Sequence, residues 1–149
     1  MKEINKKEGF TIIELIAVMV IIAVILGSVL AAVKGATDNS RITSAIASVR
    51  ALQTASVGYY NQNGGSYSNL SLASLAADNM LPANFTSGAN ANPWSGNIVV
   101  APDANANYFD ITLTNVPSTA STALTNAVSK LAQTAPTYTA SSQTWTSAF

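Results

Sequence analysis

One carboxylate stands where charge would matter most, at the start of a long apolar run. Glu14 lies in the stretch KKEGFTIIEL, residues 6–15, four residues into a segment that is otherwise apolar. A carboxylate in hydrocarbon costs up to about 3 kcal/mol at a helix centre on insertion scales. Charged side chains in such segments usually face a partner of opposite charge. The sequence therefore predicts a pairing role for Glu14, and capping of the helix N-terminus is the alternative.

The rest of the chain offers few groups for catalysis. It contains neither histidine nor cysteine, which excludes Cys/His zinc sites, disulfides and nucleophilic triads built on histidine. Asp103 and Asp110 are candidates for calcium, but they lack EF-hand spacing and calcium takes about six to eight oxygens. We interpret them as solvated side chains. We therefore expect no enzyme activity, no metal and no other cofactor.

Composition also limits the partners. Only 9% of the residues are charged, and the formal net charge is zero. Lysine and arginine do not cluster beyond the first residues, and a nucleic-acid site needs a basic face. We therefore expect no nucleic-acid site. The length of 149 residues leaves room for one modest domain plus an appendage.

The apolar run is long enough to span a membrane. From Leu15 to Val33 only Gly27 and Ser28 are not plainly apolar, and these residues would form a helix about 28 Å long. A bilayer core is about 30 Å thick. A cleaved signal peptide, ending near residues 32–36, is the alternative, but its apolar region should be only about 7–15 residues long. We predict a membrane-inserted helix over residues 10–33.

A helix of a different kind continues beyond the run. Apolar residues recur there mostly at spacings of three and four, which predicts an amphipathic helix over residues 36–60. No proline lies between Phe10 and Asn61, and NQNGG at 61–65 is a helix-terminating sequence. We therefore predict one continuous helix over 10–60. The pair Gly27–Ser28 is its soft spot for bending or local melting.

Residues 61–149 predict a small globular head. Strands are predicted at Ile98–Val100 and Tyr108–Val116, joined by the hairpin loop PDANAN, and a helix is predicted at Thr119–Ala132. NPWSG at 92–96 is a turn signal, and we expect its indole to pack onto the head.

The C-terminal tail alternates enough for one or two short strands. Its aromatic residues Tyr138, Trp145 and Phe149 are the expected anchors, because the chain has no disulfides. The predicted fold class is thus α+β. A long N-terminal helix, apolar in its first half and amphipathic in its second, packs against a small antiparallel-sheet head.

The residues around Gly9 resemble a known processing signal. Lys6-Lys7-Glu8-Gly9 followed by Phe10-Thr11-Ile12-Ile13-Glu14-Leu15 is similar to the leader and cleavage site of type IV prepilins and of pseudopilins. The resemblance implies that a prepilin peptidase cuts between Gly9 and Phe10. It would remove a leader of residues 1–9 and methylate the new N-terminus. Glu14 is then the fifth residue of the mature chain, where the family carries its glutamate.

The resemblance also implies self-assembly into a helical homopolymer. The apolar helices form the filament core, and Glu14 of one subunit meets the α-amino group of Phe10 on its neighbour. Such a pair matches an otherwise unpaired charge and fixes the axial register, which is the best-attested use of buried polar groups. The implied partners are other copies of the chain, prepilin peptidase, the inner-membrane pilus assembly machinery, and the membrane before assembly.

The expected function is that of the major subunit of a type IV pilus. The chain would be an inner-membrane precursor and then part of an extracellular filament serving adhesion, aggregation, motility or DNA uptake. A pseudopilin of a type II secretion system and a minor pilin are the alternatives. The run lacks the proline that many pilins carry, and the chain lacks their C-terminal disulfide. These departures leave the subclass open.

Overall fold

The computed structural model describes residues 11–82, 85, 88, 89 and 91–149. The chain divides into two units, Met1–Thr37 and Asp38–Phe149. We call residues 11–37 the apolar segment and Asp38–Phe149 the compact unit. Gly9, Phe10 and the rest of the predicted leader lie outside the described residues.

The first element is the long helix, which is confirmed. Helix α1 runs over Ile12–Gln62, 51 residues, and ends two residues beyond the predicted limit. Gly64 and Gly65 follow with φ angles of 69° and 78°, a backbone region that glycine enters without strain. The Gly65 N–H donates to the Tyr60 carbonyl at 3.0 Å. This Schellman-type bond satisfies a carbonyl that the helix end leaves free.

Four short strands form one antiparallel sheet in the order β1-β2-β4-β3. Their bounds are β1 Ile98–Pro102, β2 Phe109–Leu113, β3 Thr137–Thr139 and β4 Thr144–Ala148. Both predicted strands and the hairpin between them are confirmed, as is the strand pair in the tail. Strand β2 is shorter than the prediction of Tyr108–Val116, because Asn115 has a φ of 58° and leaves the extended conformation.

Two short helices complete the compact unit. Helix α2 spans Leu72–Ala77 and begins with a capping box in which Ser71 and Ser74 bond reciprocally. Helix α3 spans Ser118–Val128 and stops before the predicted limit of Ala132. There the Leu131 N–H donates to the Val128 carbonyl in a tighter turn, and the Gln133 N–H donates to the carbonyl of Ala148, the last residue of β4. The chain is thus drawn to the sheet before the helix can continue.

The core lies on one face of the sheet. Phe109, Ile111 and Leu113 alternate along β2 as buried residues, which confirms the predicted period of two. One hydrophobic cluster joins this face to the stripe of α1 and to α3; its helical members are Ala45, Val49, Leu52, Ala55, Tyr59, Ala120, Leu124 and Val128. The predicted α+β fold is therefore confirmed.

The aromatic residues of the tail anchor it as predicted. Trp145 is fully buried, and its indole Nε1–H donates to Thr125 Oγ1 at 3.1 Å. Phe149 stacks on Phe109 with ring centroids 5.4 Å apart, and the Tyr138 hydroxyl donates to the Val116 carbonyl at 2.9 Å. Burial combined with hydrogen bonds thus fixes a tail that has no disulfide.

Candidate assembly site

Glu14 and Thr11 form a capping box at the start of α1. The Thr11 backbone N–H and hydroxyl both donate to Glu14 Oε2 at 2.9 Å, and the Glu14 N–H donates to Thr11 Oγ1 at 3.3 Å. Each residue therefore satisfies an N–H that the helix end would otherwise leave unbonded. The carboxylate also lies at the positive end of the helix dipole. The capping role, our alternative for Glu14, is therefore present in the structure.

Capping engages only one of the two carboxylate oxygens of Glu14. All the hydrogen bonds that Glu14 accepts from the described residues go to Oε2, so Oε1 is open to a further donor. An ionised carboxylate has about four lone-pair sites. Glu14 can therefore cap its own helix and accept a bond from an amine at the same time. Thr11 was missed in the sequence, although T-x-x-E before an apolar run is the signature of this cap.

The surroundings of Glu14 are apolar and exposed. Ile13 and Leu15 are 77% and 52% exposed, and every residue from 12 to 33 is exposed. The most apolar 18-residue window of α1 has a mean hydropathy of 3.0, and none of it is buried. By length and composition, this part of α1 can cross a membrane.

The predicted soft spot is helical. Gly27 and Ser28 both lie within α1, and the Ser28 hydroxyl donates to the Ile25 carbonyl at 2.8 Å. Serine hydroxyls that bond to the preceding turn slightly destabilise helices and often bend them. Melting at this pair inside a filament stays a prediction.

Of the other predicted residues, Asp103 and Asp110 lie at the β1–β2 hairpin. Asp103 Oδ1 accepts a bond from the Asn105 N–H at 3.4 Å. Partial burial, and then the nearby charge of Asp103, raise the pKa of Asp110. Among the described residues, no group of three or more acidic, histidine or cysteine side chains could hold a metal. Gly9 and Phe10, the predicted cleavage site, lie outside the described residues.

The NPWSG turn is organised by a buried asparagine whose role the sequence did not reveal. Asn92 Oδ1 accepts bonds from the backbone N–H groups of Trp94 and Gly96 at 3.0 and 2.9 Å. Its Nδ2 donates to the Thr114 carbonyl at 2.6 Å. A Cβ on Gly96 would collide with that carbonyl. Trp94 packs partly buried against the core, which confirms the expected packing of the indole.

Two family models match the chain. The model described as the prokaryotic N-terminal methylation motif matches residues 4–30, which include Glu14 and the predicted cleavage site. The model described as PilS N terminal matches residues 34–146, about three quarters of the chain. The chain belongs to the type IV pilin family. This pilin thus carries Glu14 inside the stretch that the methylation-motif model describes.

Membership of the type IV pilin family indicates the general role of this chain. Pilin-family domains are structural rather than enzymatic, and the family implies self-assembly and processing by prepilin peptidase. The methylation motif and the apolar helix fit a membrane-anchored precursor. No curated protein matches the chain.

Proposed function

We propose that this pilin is the major structural subunit of a type IV pilus. It is cleaved between Gly9 and Phe10, methylated on Phe10, and assembled by the inner-membrane machinery into an extracellular filament. The filament core consists of the N-terminal parts of α1. The fibre would serve adhesion, aggregation, motility or DNA uptake.

One observation carries this proposal: none of the described residues covers the apolar part of α1. Fifteen large hydrophobic side chains from Ile12 to Val33 are about half or more exposed. Leaving each in water costs about 1.5–3 kcal/mol, so the segment needs an apolar environment on all sides. Lipid supplies it for the precursor, and neighbouring copies of the same helix supply it in a filament.

The role of Glu14 follows from its open oxygen. Removal of the leader creates an α-amino group four residues before Glu14, about 6 Å along a helix. In a bundle of parallel copies, a neighbour displaced by that distance brings its amine level with the carboxylate. Oε1 can then accept the amine while Oε2 keeps its bonds to Thr11. The pair makes the carboxylate tolerable in an apolar core and fixes the axial register of neighbours.

A pseudopilin is the second candidate, and one observation favours it. The Asn-Pro-Trp segment at 92–94 resembles a segment of major pseudopilins, and Asn92 fixes it with side-chain hydrogen bonds. A pseudopilin would be processed in the same way but would assemble into a short periplasmic structure. The two candidates therefore differ in where the processed chain is found.

Mass spectrometry of intact subunits sheared from the cell surface tests both candidates. The major-pilin proposal expects abundant fibres whose subunit begins at a methylated Phe10. A processed subunit found only in the membrane fraction, without surface fibres, would contradict the major-pilin proposal and support the pseudopilin. A subunit that begins near Ala36 would show ordinary secretion, and the role proposed for Glu14 would then be wrong.

A further inference from the structure

Lys34 and Asp38 are opposite charges on α1 that the functions above do not use. The Asp38 carboxylate is half-buried, whereas Lys34 is exposed. Within the described part of the chain, neither side chain takes part in an ion pair. A carboxylate without a partner in its own subunit is free to form an ion pair with a cation from outside the subunit.

The two residues are poorly arranged to pair with each other. They are four positions apart on a helix, and at this spacing an ion pair is better when the acidic residue comes first. Here the lysine comes first. Between two parallel helices the order of the two residues along the chain does not matter in this way. There, the displacement of one helix along the other decides which lysine meets which aspartate.

That displacement matches the one expected for Glu14. Phe10, whose amine is positive after cleavage, precedes Glu14 by four residues, and Lys34 precedes Asp38 by four residues. The positive group comes first in both pairs. A parallel neighbour displaced by four residues, about 6 Å, therefore brings both of its cations level with both carboxylates.

We propose that Asp38 of each subunit forms an ion pair with Lys34 of the neighbouring subunit in the filament. The inference rests on the proposed function, because it requires parallel copies of α1. It adds a second charge contact where the apolar run ends, in the same register as the contact of Glu14. The occupant of this helix surface is a second copy of the chain.

Small residues allow the neighbour to approach on the side of Lys34. Gly27 and Ala31 precede Lys34 by seven and three residues, so they share its side of the helix. A Cβ on Gly27 would meet nothing within 4 Å, and small residues let helices pack closely. Glu14, twenty residues before Lys34, lies on a different side. The second contact therefore relies on the flexible four-carbon stem of lysine to reach the neighbour's flank.

Charge reversal in a fibre-producing strain tests the pair. Lys34→Asp and Asp38→Lys, each alone, should lower the yield of sheared fibres about tenfold, because like charges meet at every contact. Arg50→Asp is the matched control. Arg50 is exposed on the same helix, and the residues three and four positions away on either side are uncharged. This control should leave the yield close to that of the unaltered chain.

Co-expression separates a contact between subunits from one within a subunit. When the two single variants are produced together, a lysine introduced at position 38 meets an aspartate introduced at position 34 of the other variant. Each variant still carries like charges within its own helix. Recovery of fibres in the mixture, but not with either variant alone, therefore supports pairing between subunits.

Cross-linking gives an independent measurement that does not depend on repulsion. The chain has no cysteine, so any thiol cross-link must come from introduced residues. Because the lysine stem spans the gap between the helices, cysteines at these positions would be too far apart for a direct disulfide. Fibres that contain both Lys34→Cys and Asp38→Cys subunits should therefore give covalent dimers with a short thiol-to-thiol cross-linker that matches the reach of a lysine side chain. Fibres of either variant alone, or of Ala31→Cys mixed with Asp38→Cys, should not.

The outcomes distinguish the inference from the function on which it rests. Normal fibres that tolerate both reversals and give no cross-link between positions 34 and 38 would overturn the ion pair and leave the pilus subunit intact. If the unaltered chain makes no surface fibre, both proposals fail together. Fibres that recover in the mixture and cross-link only in the paired combination support both.

Discussion

Leu30 and Leu52 are the same residue type on the same helix, yet Leu30 is 68% exposed whereas Leu52 is fully buried. Leu52 belongs to a stripe at helical spacing that packs into the core of the compact unit. Leu30 belongs to a surface that is apolar on every side, and none of it is buried by the part of the chain that the structure describes. The two regions of α1 thus use similar side chains under different conditions.

The difference shows where each region obtains its stability. An amphipathic helix is satisfied by one core, because its polar side can face water. A helix that is apolar all round needs an apolar environment on all sides, from lipid or from other copies. Changes in the compact unit should therefore alter the folding of the subunit. Changes in the apolar segment should alter assembly and leave folding intact.

The largest expected effect concerns Glu14. In the pairing proposed above, Glu14→Ala removes the partner of the neighbour's amine, and an unpaired buried charge costs about 3–5 kcal/mol. We expect the yield of fibres to fall by about a hundredfold or more. The measurement is the amount of pilin in the sheared fraction relative to the amount in the membrane.

Thr11→Ala is the control that separates pairing from capping. It removes the cap hydroxyl but leaves the carboxylate, and a lost cap costs about 1 kcal/mol. The yield of fibres should then fall by less than tenfold. Equal losses for Thr11→Ala and Glu14→Ala would mean that capping is the main role of Glu14, and that its pairing with an amine contributes little.

The next largest effect compares the two leucines directly. Leu52→Ala leaves a cavity in the core and should lower the free energy of unfolding of the compact unit by about 2–5 kcal/mol. Leu30→Ala should change it by less than about 0.5 kcal/mol. Chemical unfolding of the chain in detergent, followed by the fluorescence of Trp94 and Trp145, which both lie in the compact unit, measures both. A large effect of Leu30→Ala would show that the apolar segment contributes to folding of the subunit.

Features with a local physical cause could be predicted from the sequence. Apolar residues at spacings of three and four predicted the buried stripe of α1, because a helix brings such residues to one side. Alternation along β2 predicted its buried face, because successive side chains of a strand point to opposite faces of the sheet. The glycines at 64 and 65 predicted the end of α1, since they tolerate the backbone conformation that ends it.

Features that depend on distant contacts could not be predicted. The order β1-β2-β4-β3 places the C-terminal strand β4 inside the sheet, and no local pattern encodes that choice. Leu131 fits the apolar period of α3, yet it is 43% exposed. The reason is that α3 ends at Val128 and the chain then turns, so that Gln133 bonds to β4. Asn92 likewise gains its role from Thr114, a residue remote in sequence.

At the candidate site, the carboxylate was predicted and its cap was missed. Glu14 stands out because a charge in an apolar run is costly. Its bonds to Thr11 could have been predicted from the T-x-x-E pattern at the start of the helix. The pairing with Phe10 requires a second subunit, so it remains a prediction at this stage.

A smaller effect compares two serines of α1. The Ser56 hydroxyl is buried and has no hydrogen-bond partner within the described residues, whereas exposed Ser28 bonds to the Ile25 carbonyl. Ser56→Ala removes an unsatisfied polar group and should stabilise the compact unit by about 1 kcal/mol. Ser28→Ala should change it by less than about 0.5 kcal/mol. A loss of stability in Ser56→Ala, in the same unfolding measurement, would reveal a bound water that the hydroxyl holds.

The smallest expected effect concerns the charge of Asp110 and the thermal stability of the compact unit. Burial and then Asp103 raise the pKa of Asp110, so the folded state holds the Asp110 proton more tightly than the unfolded state. Folding stability from this group is then greatest at low pH and declines as the pH rises through the folded pKa. Asp110→Asn mimics the protonated form, so it should raise the melting temperature slightly at pH 7 and less at pH 3.

Asp78→Asn provides the control for this last effect. Asp78 is exposed at the end of α2, so its replacement removes the same charge without relieving a carboxylate pair. Thermal melts of both variants across this pH range should show a rise at pH 7 for Asp110→Asn alone. A fall at pH 7 in Asp110→Asn would reverse the sign of the linkage. The ionised carboxylate would then be stabilised by a cation from outside the described residues, as we propose for Glu14 and the amine of a neighbouring subunit.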